Sequence, residues 1–252
     1  MTFDLNLTPF DWIVVAYFAL ALPLLGVRSV RRVRQRVADG DPNARISFYR
    51  QLVAEQWIKS AILLFGWWWL ARPLEGLGLT WPRNNGAVAA WGLCLLGLVG
   101  LALQIRAIIT SESFREQVRE QFARSSNEVG NLTPSNEREL HWFWALSVTA
   151  GINEELIFRG FLMAIFWNLG GPVLAVAAST AIFAVCHAYQ PSHLPKVAGI
   201  GLTMALLYVL GGSVFPLMIL HAAIDLAAGW MSWRLSNESP EATDPHLHSA
   251  PA

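Results

Sequence analysis

The chain has 252 residues, 54% of them hydrophobic and 14% charged, with a formal net charge of zero. A soluble domain carries about 25% charged residues, so this composition excludes an ordinary water-soluble globule, and the charge balance leaves no electrostatic footprint for nucleic acid. Cys94 and Cys186 both sit in apolar runs and supply neither a disulfide framework nor zinc-type spacing.

Apolar runs follow one another near residues 10–27, 57–72, 87–109, 140–169, 172–189, 196–211 and 213–233. A bilayer core about 30 Å thick takes about 20 helical residues, so the expected fold class is all-α, a multi-pass transmembrane helical bundle of about seven spans. The second and sixth runs are short, which calls for tilt, re-entry or extension by their flanks. The first run follows acidic Asp4, contains Asp11 and has no basic residue before it. It lacks the n-region of a cleaved signal peptide and is expected to remain as an anchor.

Arginines set the orientation. Arg28, Arg31, Arg32, Arg34, Arg36, Arg45 and Arg50 lie between runs one and two, and Arg115, Arg119, Arg124 and Arg138 between runs three and four. Only Arg72 and Arg83 fall in the intervening loop. The positive-inside rule then places the chain in the cell membrane with the N-terminus outside and the C-terminus cytoplasmic. Juxtamembrane arginines gain about 1 kcal/mol each from anionic headgroups, which accounts for the 28–50 segment without nucleic acid. Trp12, Trp57, Trp81, Trp142, Trp167, Trp230 and Trp233 lie near run ends, as interfacial anchors do. The run Trp67-Trp68-Trp69 is denser than such a belt requires.

Residues 111–128 place Phe114, Val118 and Phe122 four apart, with Glu120 and Arg124 as an i,i+4 pair. This predicts an amphipathic interfacial helix, a connector rather than a substrate gate. Thr133-Pro134 offers an N-cap and first-turn proline for the fourth span. Residues 236–252, with His246 and His248, read as a disordered tail. The glycosylation patterns at Asn131 and Asn237 fall on the expected cytoplasmic side, where they are chance matches. The expected organisation is an N-terminal membrane region (1–139), a catalytic core (140–235) and the tail (236–252).

Against this background "GINEELIFRG" at 151–160 is anomalous. At 1.5 Å per residue from Trp142, Glu154 lies about 18 Å into the fourth span. Burying such residues in hydrocarbon costs roughly 2.5–3.5 kcal/mol each, and they usually line a functional path. Glu155 and Arg159 are i,i+4 in the favourable order. Glu154 points about 100° away and has no intrahelical partner. The fifth span carries His187, and the seventh carries His221 and Asp225 four apart on one face. A lone buried histidine or Glu–Arg pair is ordinary packing. Two glutamates, an arginine, two histidines and an aspartate over three spans point to function, and a general base beside imidazoles is one chemistry they support.

The segments "EELIFRG", "FAVCH" and "HAAID" resemble, in order and at membrane depth, the EExxxR, FxxxH and HxxxN/D motifs of the CPBP (Abi) family of intramembrane proteases. That family includes the type II CAAX prenyl endopeptidases. The resemblance covers about 140–230. It implies a catalytic Glu154 that activates water with His187, a Glu155 that orients that centre through its pair with Arg159, and a His221 and Asp225 that stabilise the oxyanion or complete the site. Asp225 stands where many members carry Asn, and an ionised carboxylate cannot donate to an oxyanion. The resemblance leaves two cofactor accounts open: a His2Glu zinc site from Glu154, His187 and His221, or a glutamate-type reaction with no metal. The implied partners are a peptide or prenylated-peptide substrate and the lipid bilayer. The alternative is a catalytically silent scaffold or a proton-coupled carrier, although carriers usually build their sites from paired, broken repeats and none is visible.

Overall fold

The computed structural model describes residues 5–81, 85–129 and 132–237. The expectations for Asp4, Arg83, Asn131 and the tail beyond residue 237 lie outside the described residues, as do those for the side chains of Phe122 and Arg124. The described residues form helices and no strand. In chain order these are α1 (Pro9–Ala38), α2 (Ala44–Trp69), α3 (Asn85–Thr110) and α4 (Glu112–Val129). They continue with α5 (137–169) and α6 (172–186), α7 (Leu194–Gly211) and α8 (Phe215–Asn237).

Among the described residues, five helical stretches are long and apolar enough to cross a membrane: Pro9–Ala38, Asn85–Thr110, Glu137–Cys186, Pro191–Gly211 and Phe215–Leu235. The third of these bends at Gly170 and Gly171, where Gly171 takes φ 76°, a left-handed value open to glycine. Pro172 then starts α6. Ser179 Oγ donates to the Phe158 carbonyl at 2.8 Å and the Phe158 and Phe183 rings meet edge to face, so α6 folds back along α5 as an antiparallel hairpin. The chain thus separates 140–169 from 172–189 as the hydropathy pattern predicts.

Two boundaries differ from the sequence reading. The arginines of 28–36 are not in a loop but on the continuation of α1 to Ala38. Arginine is a good helix former, and Val30 and Val33 on that extension pack against Ala44, Phe48 and Tyr49 of α2. The turn after it is held by Asp41, which accepts from the Asn43 amide and the Arg36 guanidinium; these bonds hold its carboxyl below the usual range. The fourth span starts at Glu137, not after Thr133. Asn136 caps it by accepting from the Glu139 amide at 3.0 Å, while Glu139 reaches back to the Ser135 amide at 2.8 Å.

The bundle has two recognisable ends. At one, Tyr49 Oη donates to the Leu132 carbonyl at 2.7 Å, Arg45 reaches Ser135 and Glu139, and Arg34 donates to the Tyr189 carbonyl. At the other, Asp11 accepts from Arg72 at 2.6 and 2.8 Å, Asn168 pairs with the Leu5 backbone, and Ser213 Oγ donates to the Thr80 carbonyl. The three tryptophans divide there. Trp67 is fully buried, donates to the Pro73 carbonyl at 2.9 Å and lies under the Arg72 guanidinium, whereas Trp68 and Trp69 are exposed. One is core and two are belt, which explains the dense run. Helix α4 sits with Val118 and Phe114 against Ile108 of α3 and Ala227 and Met231 of α8, so these two apolar side chains pack on protein.

A close helix approach lies beside the unusual polar residues. A Cβ on Gly151 of α5 would stand 2.6 Å from the Ala222 backbone nitrogen on α8. Small residues at such crossings let backbones touch where no hydrophobic driving force separates helix from lipid. Gly151→Ala is expected to force the helices apart and cost about 1–3 kcal/mol as overpacking, lowering the unfolding midpoint in detergent. Gly92→Ala, at a helical position with open space around it, is expected not to lower it.

Candidate active site

Glu154 and Glu155 end the regular part of α5, and residues Leu156–Leu162 continue it as a π-helical segment. Wider turns of this kind re-aim side chains and recur at functional sites. Gly160 in this segment leaves room for the Leu77 carbonyl, which a Cβ would meet at 2.8 Å.

The two glutamates have opposite environments. Glu155 is sealed, with 0% of its side chain exposed. Its Oε1 accepts from Arg159 Nη1 at 2.8 Å and from His221 Nδ1 at 2.7 Å. Arg159, itself buried, also donates through Nη2 to the Gly201 carbonyl of α7 at 3.0 Å, and its guanidinium lies 4.7 Å from the Phe183 ring centroid. Gly201 permits this, because a Cβ there would meet Phe183 at 2.9 Å. One ionic knot thus joins α5, α6, α7 and α8.

Glu154, one residue earlier, keeps 19% of its side chain exposed. Its Oε1 accepts from Gln56 Nε2 of α2 at 3.4 Å, and its Oε2 lies 3.9 Å from His221 Nε2. His221 is therefore shared. Nδ1 must donate to the Glu155 carboxylate, which leaves Nε2 turned to Glu154 and to Asp225 Oδ2 at 3.6 Å. Both separations exceed a hydrogen bond and fall within the reach of a bridging water.

His187 ends α6 as its C-cap. Its Nδ1 faces the Phe183 carbonyl at 2.8 Å; a carbonyl only accepts, so Nδ1 carries the proton and Nε2 is the free nitrogen of the neutral ring. Phe183 packs on His187, His221 and Phe158 as well as Arg159. Asp225 lies within electrostatic reach of His221, Glu154, His187 and Glu155, which gathers the residues of all three motifs around one spot.

Some polar residues of the site were not singled out by sequence. Gln56 sits just before the second apolar run, where a polar residue reads as headgroup-facing, yet it is buried against Glu154. Asn153, fully buried, turns its amide to the Thr149 carbonyl at 2.8 Å; its place beside the glutamates at membrane depth was the available signal. Tyr189 stacks 5.9 Å from His187 and lies within electrostatic reach of Glu154 and Asp225. Among the described residues, no three His, Cys, Asp or Glu side chains are disposed to hold a metal ion. In particular, His221 Nδ1 is taken by Glu155 and His187 Nδ1 faces the Phe183 carbonyl.

Residues 136–227 match the type II CAAX prenyl endopeptidase Rce1-like family, just over a third of the chain and all three motifs. The chain carries an Rce1-like domain. The match supports a CPBP/CAAX protease family assignment, and it spans α5 to most of α8; α1 to α4 lie outside the matched segment. Neither a curated protein nor a solved structure matches the chain.

Breaking a buried ion pair costs about 3–5 kcal/mol because it strands the other charge. Arg159→Met is expected to lower the stability of the Rce1-like domain by that order, seen as a large drop in the detergent unfolding midpoint. Arg159→Lys should fall well short of restoring it, since a single ammonium cannot span Glu155 and the Gly201 carbonyl with the fork geometry.

Proposed function

We propose that the protein is an intramembrane endopeptidase in which Glu154 and His187 activate a water that attacks a peptide carbonyl. The observation that carries this reading is the asymmetry of the two glutamates. Glu155 is consumed by Arg159 and His221, whereas Glu154 stays accessible beside an imidazole. A general base must meet its water, and only Glu154 can. His187 Nε2, unprotonated in the tautomer its cap requires, is a second acceptor for the water's protons.

The sequence of events follows from these groups. Glu154 takes a proton from the water as its oxygen bonds to the carbonyl carbon. The carbonyl oxygen gains the negative charge, and His221, held by Glu155 and flanked by Asp225, is the positive or proton-donating group beside it. Collapse breaks the C–N bond, and the proton held by Glu154 passes to the leaving amine. Asp225, as a carboxylate, acts through His221 rather than on the oxyanion. No step is routed through a metal, because the donors do not converge as a ligand set.

The substrate is a hydrophobic or membrane-delivered peptide, of CAAX type or bacteriocin type. We place the arginine-rich end of the bundle at the cytoplasmic face of the cell membrane, with the N-terminus outside.

The test is cleavage of a library of quenched-fluorescence peptides with hydrophobic C-terminal residues by purified protein in detergent. Glu154→Gln is expected to reduce kcat by at least about 10²–10⁴-fold, and His187→Ala by a comparable factor. Retained cleavage in Glu154→Gln would overturn the reading, and silence of the wild type on every peptide would favour a scaffold. Asp225→Asn is expected to stay within about tenfold of wild type, since an amide donor can serve the oxyanion directly, while Asp225→Leu falls further. Overnight chelation before assay should leave kcat unchanged; loss restored by zinc would favour the metal account.

A further inference from the structure

The reaction proposed above uses residues of the Rce1-like segment alone. Its base, however, touches a residue far outside that segment. Gln56 lies in the middle of α2, is 9% exposed, and donates from Nε2 to Glu154 Oε1 at 3.4 Å. The orientation of its amide is set by its partner: a carboxylate only accepts, so the NH2 group must face it. Glu154 is thereby addressed at both oxygens, Oε1 by Gln56 and Oε2 by His221 Nε2.

We infer that Gln56 is a positioning residue for the proposed base, holding one oxygen of Glu154 so that the other faces His221 and the water. The side chain needs such a hold. It is partly exposed on a helix that widens into a π-segment two residues on, and it lacks the arginine partner that fixes Glu155. A free glutamate has several rotamers to choose from, and only one keeps Oε2 beside the imidazole. The same face of α2 carries Lys59, within electrostatic reach of Glu154, and Ser60, whose buried Oγ has no hydrogen-bond partner among the described residues. Helix α2 is thus a polar wall of the site. The other polar atom of the amide, Gln56 Oε1, is buried and also has no hydrogen-bond partner among the described residues.

This inference rests on Glu154 being the base, and the experiment keeps the two apart. Gln56→Met preserves bulk and removes both amide groups; Gln56→Glu preserves shape and replaces the donor with an acceptor. On the peptide that the wild type cleaves fastest, Gln56→Met should lower kcat by about tenfold or more, as misplacement of a reacting group does, and Gln56→Glu by more. The detergent unfolding midpoint of Gln56→Met should stay near wild type, and in a Glu154→Gln background Gln56→Met should change nothing further. A second readout needs no substrate: labelling of Glu154 by an apolar carbodiimide, followed by peptide mass spectrometry, should speed up several-fold in Gln56→Met because Oε1 is uncovered.

If Glu154→Gln cleaves like wild type, the proposed reaction is wrong. If Glu154→Gln is silent while Gln56→Met keeps the wild-type kcat and the wild-type labelling rate, the Gln56 assignment alone is overturned. A lowered kcat accompanied by a collapsed unfolding midpoint and unchanged Glu154 labelling would reduce Gln56 to a packing residue and also overturn it.

Discussion

The bundle is organised around one buried carboxylate. Glu155 accepts from Arg159 on its own helix and from His221 on α8, and Arg159 goes on to the Gly201 carbonyl of α7. In a low-dielectric interior such a knot contributes little net stability compared with apolar packing, because the desolvation of both ions offsets their attraction. What it does instead is penalise every other arrangement. Any register that separates these three groups leaves a charge alone in the membrane. The knot therefore specifies how α5, α7 and α8 meet, and with them the position of His221 relative to Glu154.

Close packing completes the specification. Gly151 admits the Ala222 backbone, Gly160 admits the Leu77 carbonyl, and Gly229 admits the Phe143 ring, where a Cβ would come within 2.4 Å. Among lipid tails no hydrophobic force sorts helix from solvent, so contact surface and polar links decide association. The links at the two ends have the same logic. Asp11 is fully buried, yet its carboxylate accepts from Arg72 and Thr8, and Arg72 donates further to the Asn6 carbonyl.

Hydropathy and i,i+4 spacing carry local information, and the elements they determine were legible. The helical class, the break at Gly170, the Glu155–Arg159 pair and the shared face of His221 and Asp225 all follow from a few neighbouring residues. Features that depend on partners distant in sequence were not. Gln56 looks like a headgroup residue until α2 is seen against α5, and the assignment of His221 Nδ1 to Glu155 rather than Glu154 requires three helices in place. The π-segment after Glu155 has no sequence signature at all, since a single widened turn leaves the apolar pattern intact. The arginines between the first two runs stay helical because nothing in "RSVRRVRQRV" breaks a helix, and charge by itself marks the end of a span rather than of its helix.

The polar groups also form a gradient of access that bears on how the proposed water-consuming reaction would work inside hydrocarbon. Side-chain exposure rises from 0% at Glu155 through 10% at His221 to 36% at Asp225, with Glu154 at 19%. Asp225 lies one turn beyond His221 toward the end of α8, the direction of Phe143, Tyr49 and the arginines of α1 and α2. The sealed groups fix geometry, and Asp225, the most exposed of these side chains, lies toward the arginine-rich end. A site built this way separates two demands that conflict in a membrane. The ionic knot needs dryness, because water would weaken its attraction, while hydrolysis needs water at the carbonyl. Placing Glu154 and Glu155 on consecutive residues, about 100° apart around the helix, lets one carboxylate serve each demand without either crossing the bundle.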